Sequence, residues 1–173
     1  IALILIGGES RENVIAVARS TDGGRTWSNP ITLRRDGADA FNDKEAITAD
    51  PTDARFAYVT WDRLAGVSGP TWFARTINGG ASWEVAREIY SPDPNGQTIN
   101  NIVVVLPDGT LVLSFTEPPH PGNATTRVRI MRSSDCARFR KRSGRVSRRS
   151  RGAVARRCLP THFLAARIVK SSA

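Results

Sequence analysis

The chain has 173 residues, 40% of them hydrophobic, two cysteines and a formal net charge of +9. That length allows one sizeable core, and two cysteines exclude both a disulfide framework and a cysteine-rich zinc module. No apolar run approaches the roughly 20 residues of a membrane span, so no span is expected.

Taken in chain order, the apolar segments are short and read as strands. Ala2–Ile6 and Val14–Arg19 come first, followed by Ser20-Thr21-Asp22-Gly23-Gly24-Arg25-Thr26-Trp27 and a short strand at Ile31–Leu33. A second unit places strands near Glu45–Ala49, Phe56–Trp61 and Thr71–Arg75. It then repeats the octapeptide as Thr76-Ile77-Asn78-Gly79-Gly80-Ala81-Ser82-Trp83 and ends in a strand at Arg87–Tyr90. A third unit has strands near Ile102–Leu106, Thr110–Phe115 and Arg127–Arg132, then begins the octapeptide again at Ser133-Ser134-Asp135 and breaks off, so its fourth strand is expected to be missing. The offset between the first two copies is constant (78 − 22 = 56 and 83 − 27 = 56), which marks stacked supersecondary units.

The octapeptide reads as a hairpin turn. Asp or Asn accepts from backbone N–H groups just ahead, Gly supplies positive φ, Thr or Ser adds a local bond, and Trp anchors the turn in apolar packing. On Ser20, Asp22, Gly24, Thr26 and Trp27, and on Thr76, Asn78, Gly80, Ser82 and Trp83, with a stub at Ser133 and Asp135, the pattern resembles the Asp-box, or bacterial neuraminidase repeat, of the sialidase superfamily. The resemblance covers roughly residues 1–135. It implies an all-β fold, a partial β-propeller of about two and a half four-stranded blades, with each box as a structural turn between the third and fourth strands. It further implies a glycan substrate or ligand, a secreted or extracytoplasmic location, and hydrolysis of a terminal sialic acid or related glycosidic bond. No metal or cofactor is implied. Propellers use four to eight blades, so this fragment alone is expected to be inactive.

The charge is unevenly distributed. All 16 acidic residues lie in 1–135 with 13 Lys/Arg (13 − 16 = −3), whereas residues 136–173 hold 12 Lys/Arg and no acid. The basic tail reads as an arm for nucleic acid, as a disordered extension, or as translation in a second reading frame beginning near Cys136. The last is preferred, because the change interrupts a repeat that was on schedule and the tail is rich in Arg. Cys136 and Cys158, with His120 and His162, are too few for a zinc site. The start at Ile1 is read as a truncated front.

In such a meander, one rim carries the tight turns and boxes, and the other carries the longer connections 34–44, 62–70, 91–101 and 116–125. Long loops on a rigid scaffold are the usual place for binding and catalysis, and the resemblance puts the active site on that same rim. The polar residues expected there are Asp36, Asp39, Asn42, Asp43, Lys44, Glu45, Asp62, Arg63, Asp93, Asn95, Gln97, Glu117 and His120. The densest set is Asn42–Glu45 with Trp61–Arg63, so Asp43, Glu45, Asp62 and Arg63 are the catalytic candidates. A carboxylate there serves as general acid or base and Arg as a carboxylate clamp; the alternative is a solvated, salt-bridged loop. Tyr58 and Tyr90 are read as packing residues, His120 as an exposed loop residue, and Trp61 and Trp72 as core. Two other functions compete: a non-catalytic extracellular propeller binding carbohydrate or protein, and a nucleic-acid binder, ranked last because it rests wholly on the tail.

Overall fold

Alternating burial along the chain dictates sheets. Along β9 (Leu111–Glu117) every second residue is buried, the period of a strand with one face on a core. The structure, a computed structural model, describes residues 2–7, 12–133 and 166–169, and among these there is no helix. The chain is all-β, in three antiparallel sheets. The first holds β1 (Ala2–Gly7), β2 (Asn13–Ala18) and β3 (Ile31–Asp36); the second holds β4 (Ala40–Ala49), β5 (Ala57–Ala65), β6 (Thr71–Thr76) and β7 (Arg87–Tyr90). The third runs β8 (Ile99–Val105), β9, β10 (Arg127–Ser133) and β11 (Ala166–Val169). Within each sheet every strand pairs antiparallel with the next strand along the chain.

The sheets stack through two apolar layers. Ile15 and Val17 of the first sheet meet Val59, Trp61 and Ala74 of the second. The other face of the second sheet presents Tyr58 and Phe73 to Val103, Leu111, Leu113, Phe115 and Met131 of the third. Burying each large side chain stabilises the stack by roughly 1.5–3 kcal/mol. Two threonines add polar ties between the second and third sheets. Thr48 Oγ1 donates to the Val103 carbonyl (2.8 Å) and Thr60 Oγ1 to that of Asn101 (3.3 Å).

The two octapeptides fold alike, between β2 and β3 and between β6 and β7. Asp22 Oδ1 accepts from the backbone N–H groups of Arg25 (3.0 Å) and Thr26 (2.9 Å), while its Oδ2 accepts from Thr26 Oγ1 (2.7 Å). In the second copy Asn78 Oδ1 accepts from the Ser82 N–H (2.9 Å), and its Nδ2 donates to Ser82 Oγ (2.8 Å). The Ser20 and Thr76 hydroxyls accept from the N–H groups of Gly24 (2.8 Å) and Gly80 (2.9 Å). Those glycines have φ of 88° and 84°, where a side chain would be strained. The tryptophans differ: Trp83 packs into the layer between the first two sheets, whereas Trp27 is 48% exposed and folds back to donate to the Gly24 carbonyl (3.1 Å).

Three expectations are corrected. The connection at 34–44 is almost all strand, because β3 runs to Asp36 and β4 starts at Ala40. Asp62 and Arg63 likewise sit inside β5, which continues to Ala65 as Arg63 N–H donates to the Pro70 carbonyl. At the first of these a side chain meets the backbone, as Asn13 Oδ1 accepts from the Asn42 N–H (3.0 Å); at the second the bond is between backbone groups. The fourth position of the third sheet is filled, since Ala166–Val169 pairs with β10 from Arg127↔Val169 to Ile130↔Ala166. Asp135, Cys136, Cys158 and His162 lie outside the described residues, as does most of the segment 136–173.

Candidate functional site

The rim opposite the octapeptide turns gathers the ionisable groups. A cross-strand row crosses the second sheet there, Asp43↔Asp62↔Thr71↔Tyr90. Opposite residues in such a ladder hold their Cβ atoms about 4.5–5.5 Å apart, so the first pair sets two carboxylates side by side. A bulge makes this possible. Register shifts between Asp43 and Ala46, and Lys44 takes a φ of 52°. Lys44 then folds onto its neighbour, its N–H and Nζ both donating to Asp43 at 2.8 Å. Glu45, half-buried, lies in the same bulge.

Asp62 is 1% exposed, and neither of its carboxylate oxygens has a hydrogen-bond partner among the described residues. Burial first, then the Asp43 charge, pushes its carboxyl up to about 7. Asp43 is the outer member of the pair, its side chain one-third exposed. Behind Asp62, the Thr71 hydroxyl donates to Asn101 Oδ1 (2.8 Å), and Asn101 Nδ2 is likewise without a partner among the described residues.

Arg63 is not a free clamp. Asp36 receives two bidentate guanidinium forks, from Arg63 (2.8 and 2.7 Å) and from Arg34 (3.0 and 2.7 Å). Burial alone would raise the Asp36 carboxyl, but the bonds from Arg63, Arg34 and Asn42 outweigh it and hold it far below the usual carboxylate range. Both guanidinium groups also lie over the Trp72 ring, at 4.9 Å for Arg34 and 5.3 Å for Arg63. Asn42 locks this cluster to the first sheet. Its Nδ2 donates to Asn13 Oδ1 (2.6 Å) and Asp36 Oδ2 (3.0 Å), and its Oδ1 accepts from Trp61 Nε1 (2.8 Å).

At the far end of the row, Tyr90 is more than packing. Its ring lies 4.7 Å from that of Phe115, and its hydroxyl donates to Glu117 Oε1. Burial, then the Glu117 bond, raises the phenol far above its ordinary range, so it stays protonated. Arg129 Nε donates to Glu117 Oε2 (2.9 Å), and Arg127 pairs with Asp93 (3.0 Å).

The sequence-derived candidates therefore separate. Asp43, Glu45 and Asp62 come together at the bulge; Arg63 belongs to the Asp36 cluster. Tyr58 and Trp61 are core. His120 is a half-buried loop residue bridged to Asn123. The Tyr90–Glu117 pair and the Arg34–Asp36 pair were not singled out; their only sequence signal is position, each residue ending or nearly ending a strand on this rim. Chemically, a carboxyl that titrates near neutrality can hold a proton for transfer, the requirement for a general acid. Among the described residues no group of three or more His, Cys, Asp or Glu is arranged to hold a metal ion, and no helix is long and apolar enough to cross a membrane. No family model matches the chain, and no curated protein matches it.

Proposed function

We propose that the chain is part of a sialidase-like glycoside hydrolase acting outside the cytoplasm, its three sheets being successive blades of a partial β-propeller. The octapeptide turns, 56 residues apart with like hydrogen bonding, support the architecture. The observation that carries an enzymatic reading is the Asp43–Asp62 pair. Asp62, buried and unpartnered opposite the Asp43 carboxylate, has its carboxyl pushed up to about 7, so it holds a proton near neutral pH. In this reading the pair is the acid that protonates a glycosidic oxygen. The filled Arg34–Asp36–Arg63 cluster favours a second reading, a carbohydrate-binding module without catalysis, because its guanidinium forks are already committed.

The test incubates the chain with a fluorogenic α-sialoside and, in parallel, follows sialyllactose by saturation-transfer NMR. Fluorophore release that falls about 100-fold or more in both Asp62→Asn and Asp43→Asn supports the hydrolase, in line with the usual worth of a general acid. Saturation transfer to the sugar without release assigns the binding module. Neither signal overturns both readings.

A further inference from the structure

Two buried polar groups between the second and third sheets are unpaired, and they are complementary. Asp62 and Asn101 are each 1% exposed. Among the described residues both Asp62 carboxylate oxygens lack a donor, and Asn101 Nδ2 lacks an acceptor. Leaving such groups unmade is costly, and buried polar atoms without a protein partner are commonly satisfied by ordered water.

The strands bring the two groups to one place. Thr60 and Asp62 alternate along β5 and so share a face. Thr71 is the cross-strand partner of Asp62 on β6. Asn101 reaches this face from β8 and is tied to it twice. Its backbone carbonyl accepts from Thr60 Oγ1 (3.3 Å), and its Oδ1 accepts from Thr71 Oγ1 (2.8 Å). Asn101 therefore lies over a triangle whose third corner is Asp62. With Oδ1 held by Thr71, the other arm of the same planar amide is the unpaired donor, beside a carboxyl with two unpaired acceptors. The charges that bear on Asp62 all come from β4, namely Asp43, Lys44 and Glu45. The third sheet sets the neutral Asn101 against it, while Glu117 and Arg129 are engaged around Tyr90 at the far end of the row.

We propose that one ordered water bridges Asn101 Nδ2 and the Asp62 carboxyl, and that Asn101 is through it a positioning residue for the buried acid. The three unpaired atoms fall within the roughly two to four polar partners that hold a buried water. The water accepts from the amide and donates to a carboxylate oxygen, which leaves the other oxygen to carry the exchangeable proton on a fixed side of the group. Donation of this kind favours the ionised carboxylate, so it opposes burial and the Asp43 charge. The bridge stands apart from the glycosidase reading; its part in delivering a proton to a glycosidic oxygen rests on that reading.

Titration of the full chain with isotope-labelled aspartate carboxyls, followed by NMR, tests it. The Asp62 signal is assigned by its loss in Asp62→Asn. Asn101→Leu keeps the bulk of the side chain and removes the donor. The Asp62 midpoint, about 7 in the wild type, is expected to rise by about one pH unit or more in that variant. Thr60→Val cuts the tie to the Asn101 carbonyl at the same interface without touching the amide, and is expected to leave the midpoint in place. In the wild type the Asn101 side-chain amide protons are expected to show a nuclear Overhauser effect to a slowly exchanging water. An Asp62 midpoint unchanged by Asn101→Leu overturns the proposal. So does an equal shift in Thr60→Val, since loosening of the interface would then suffice. An Asn101 amide with no slowly exchanging water overturns it as well, a result that needs no variant to fold. A midpoint that moves as expected in a chain that cleaves no sialoside supports the bridge and removes the hydrolase reading alone.

Discussion

Replacing Asp62 by Asn should make the protein more stable at alkaline pH and less stable in acid, and the size of that reversal follows from the site. The ordinary Asp value is 3.8, and burial beside Asp43 raises the folded value to about 7. Below 3.8 both folded and unfolded chains carry the proton, and no penalty exists. Between the two values the unfolded chain ionises while the folded one holds its proton, so stability falls as pH rises. Above about 7 the folded chain ionises too, and the full penalty is in place. The difference, 7 − 3.8 = 3.2, corresponds to about 4 kcal/mol at 1.36 kcal/mol per pH unit. Asn escapes this penalty but brings two buried N–H donors where the protonated carboxyl has one O–H, a pH-independent cost relative to the neutral acid of about 1–3 kcal/mol. The variant should therefore trail the wild type by that amount below pH 4 and lead it by a similar amount at pH 8. Urea unfolding followed by tryptophan fluorescence, at several pH values from 3 to 8, measures both curves. A difference between the two proteins that does not change with pH would refute the reasoning, because it would show that Asp62 titrates alike in both states. If the same substitution also abolishes hydrolysis, a gain in stability has cost activity, the trade expected of a functional carboxyl.

Asp36→Asn should act with the opposite sign. Its folded carboxyl is depressed, so its contribution is present above the unfolded value and is lost as pH falls through the folded one; at neutral pH the substitution should cost about 3–5 kcal/mol by leaving Arg34 and Arg63 uncompensated, read from the same urea curves. Asn78→Asp should be nearly neutral, within about 0.5 kcal/mol by thermal melting, because Ser82 Oγ can donate to the new carboxylate as Thr26 Oγ1 already does to Asp22. Gly80→Ala should destabilise by about 1 kcal/mol or more, since its φ of 84° suits only glycine and its N–H is held by Thr76. Tyr90→Phe should leave Glu117 Oε1 without its phenol donor and destabilise the fold by about 1.5–3 kcal/mol, read from thermal melting.

Strand positions were legible because burial alternates with the period the sequence shows. Arg87–Tyr90 was placed to the residue, and the glycine-containing turns announced themselves by chemistry that acts within eight residues. What was not legible depends on partners distant in sequence. The stretch from Arg34 to Lys44 is polar and carries a glycine, so it reads as a loop. It is strand because Asn13, 29 positions away from Asn42, holds the Asn42 N–H and amide. Arg63 looked available to bind a ligand because its partner Asp36 is 27 residues upstream. Tyr90 looked like packing because Glu117 reaches it from another sheet. The acidic site was half visible: the proximity of Asp43 to Asp62 followed from strand order, but the burial that sets Asp62 apart did not.

The bulge at Lys44 has a counterpart. Asn100 takes a φ of 59°, and register shifts between Ile99 and Ile102 just as it does between Asp43 and Ala46; 100 − 44 is again 56. The side chains at these positions have nothing in common, a lysine in one and an asparagine in the other, yet the chain bends the same way. The two units thus share a backbone kink while holding different side chains in it. One kink now sets a carboxylate beside Asp62, and the other buries the Asn101 amide behind it. A corner of fixed backbone shape can thus present a carboxylate in one sheet and an amide in the next, with no change of loop.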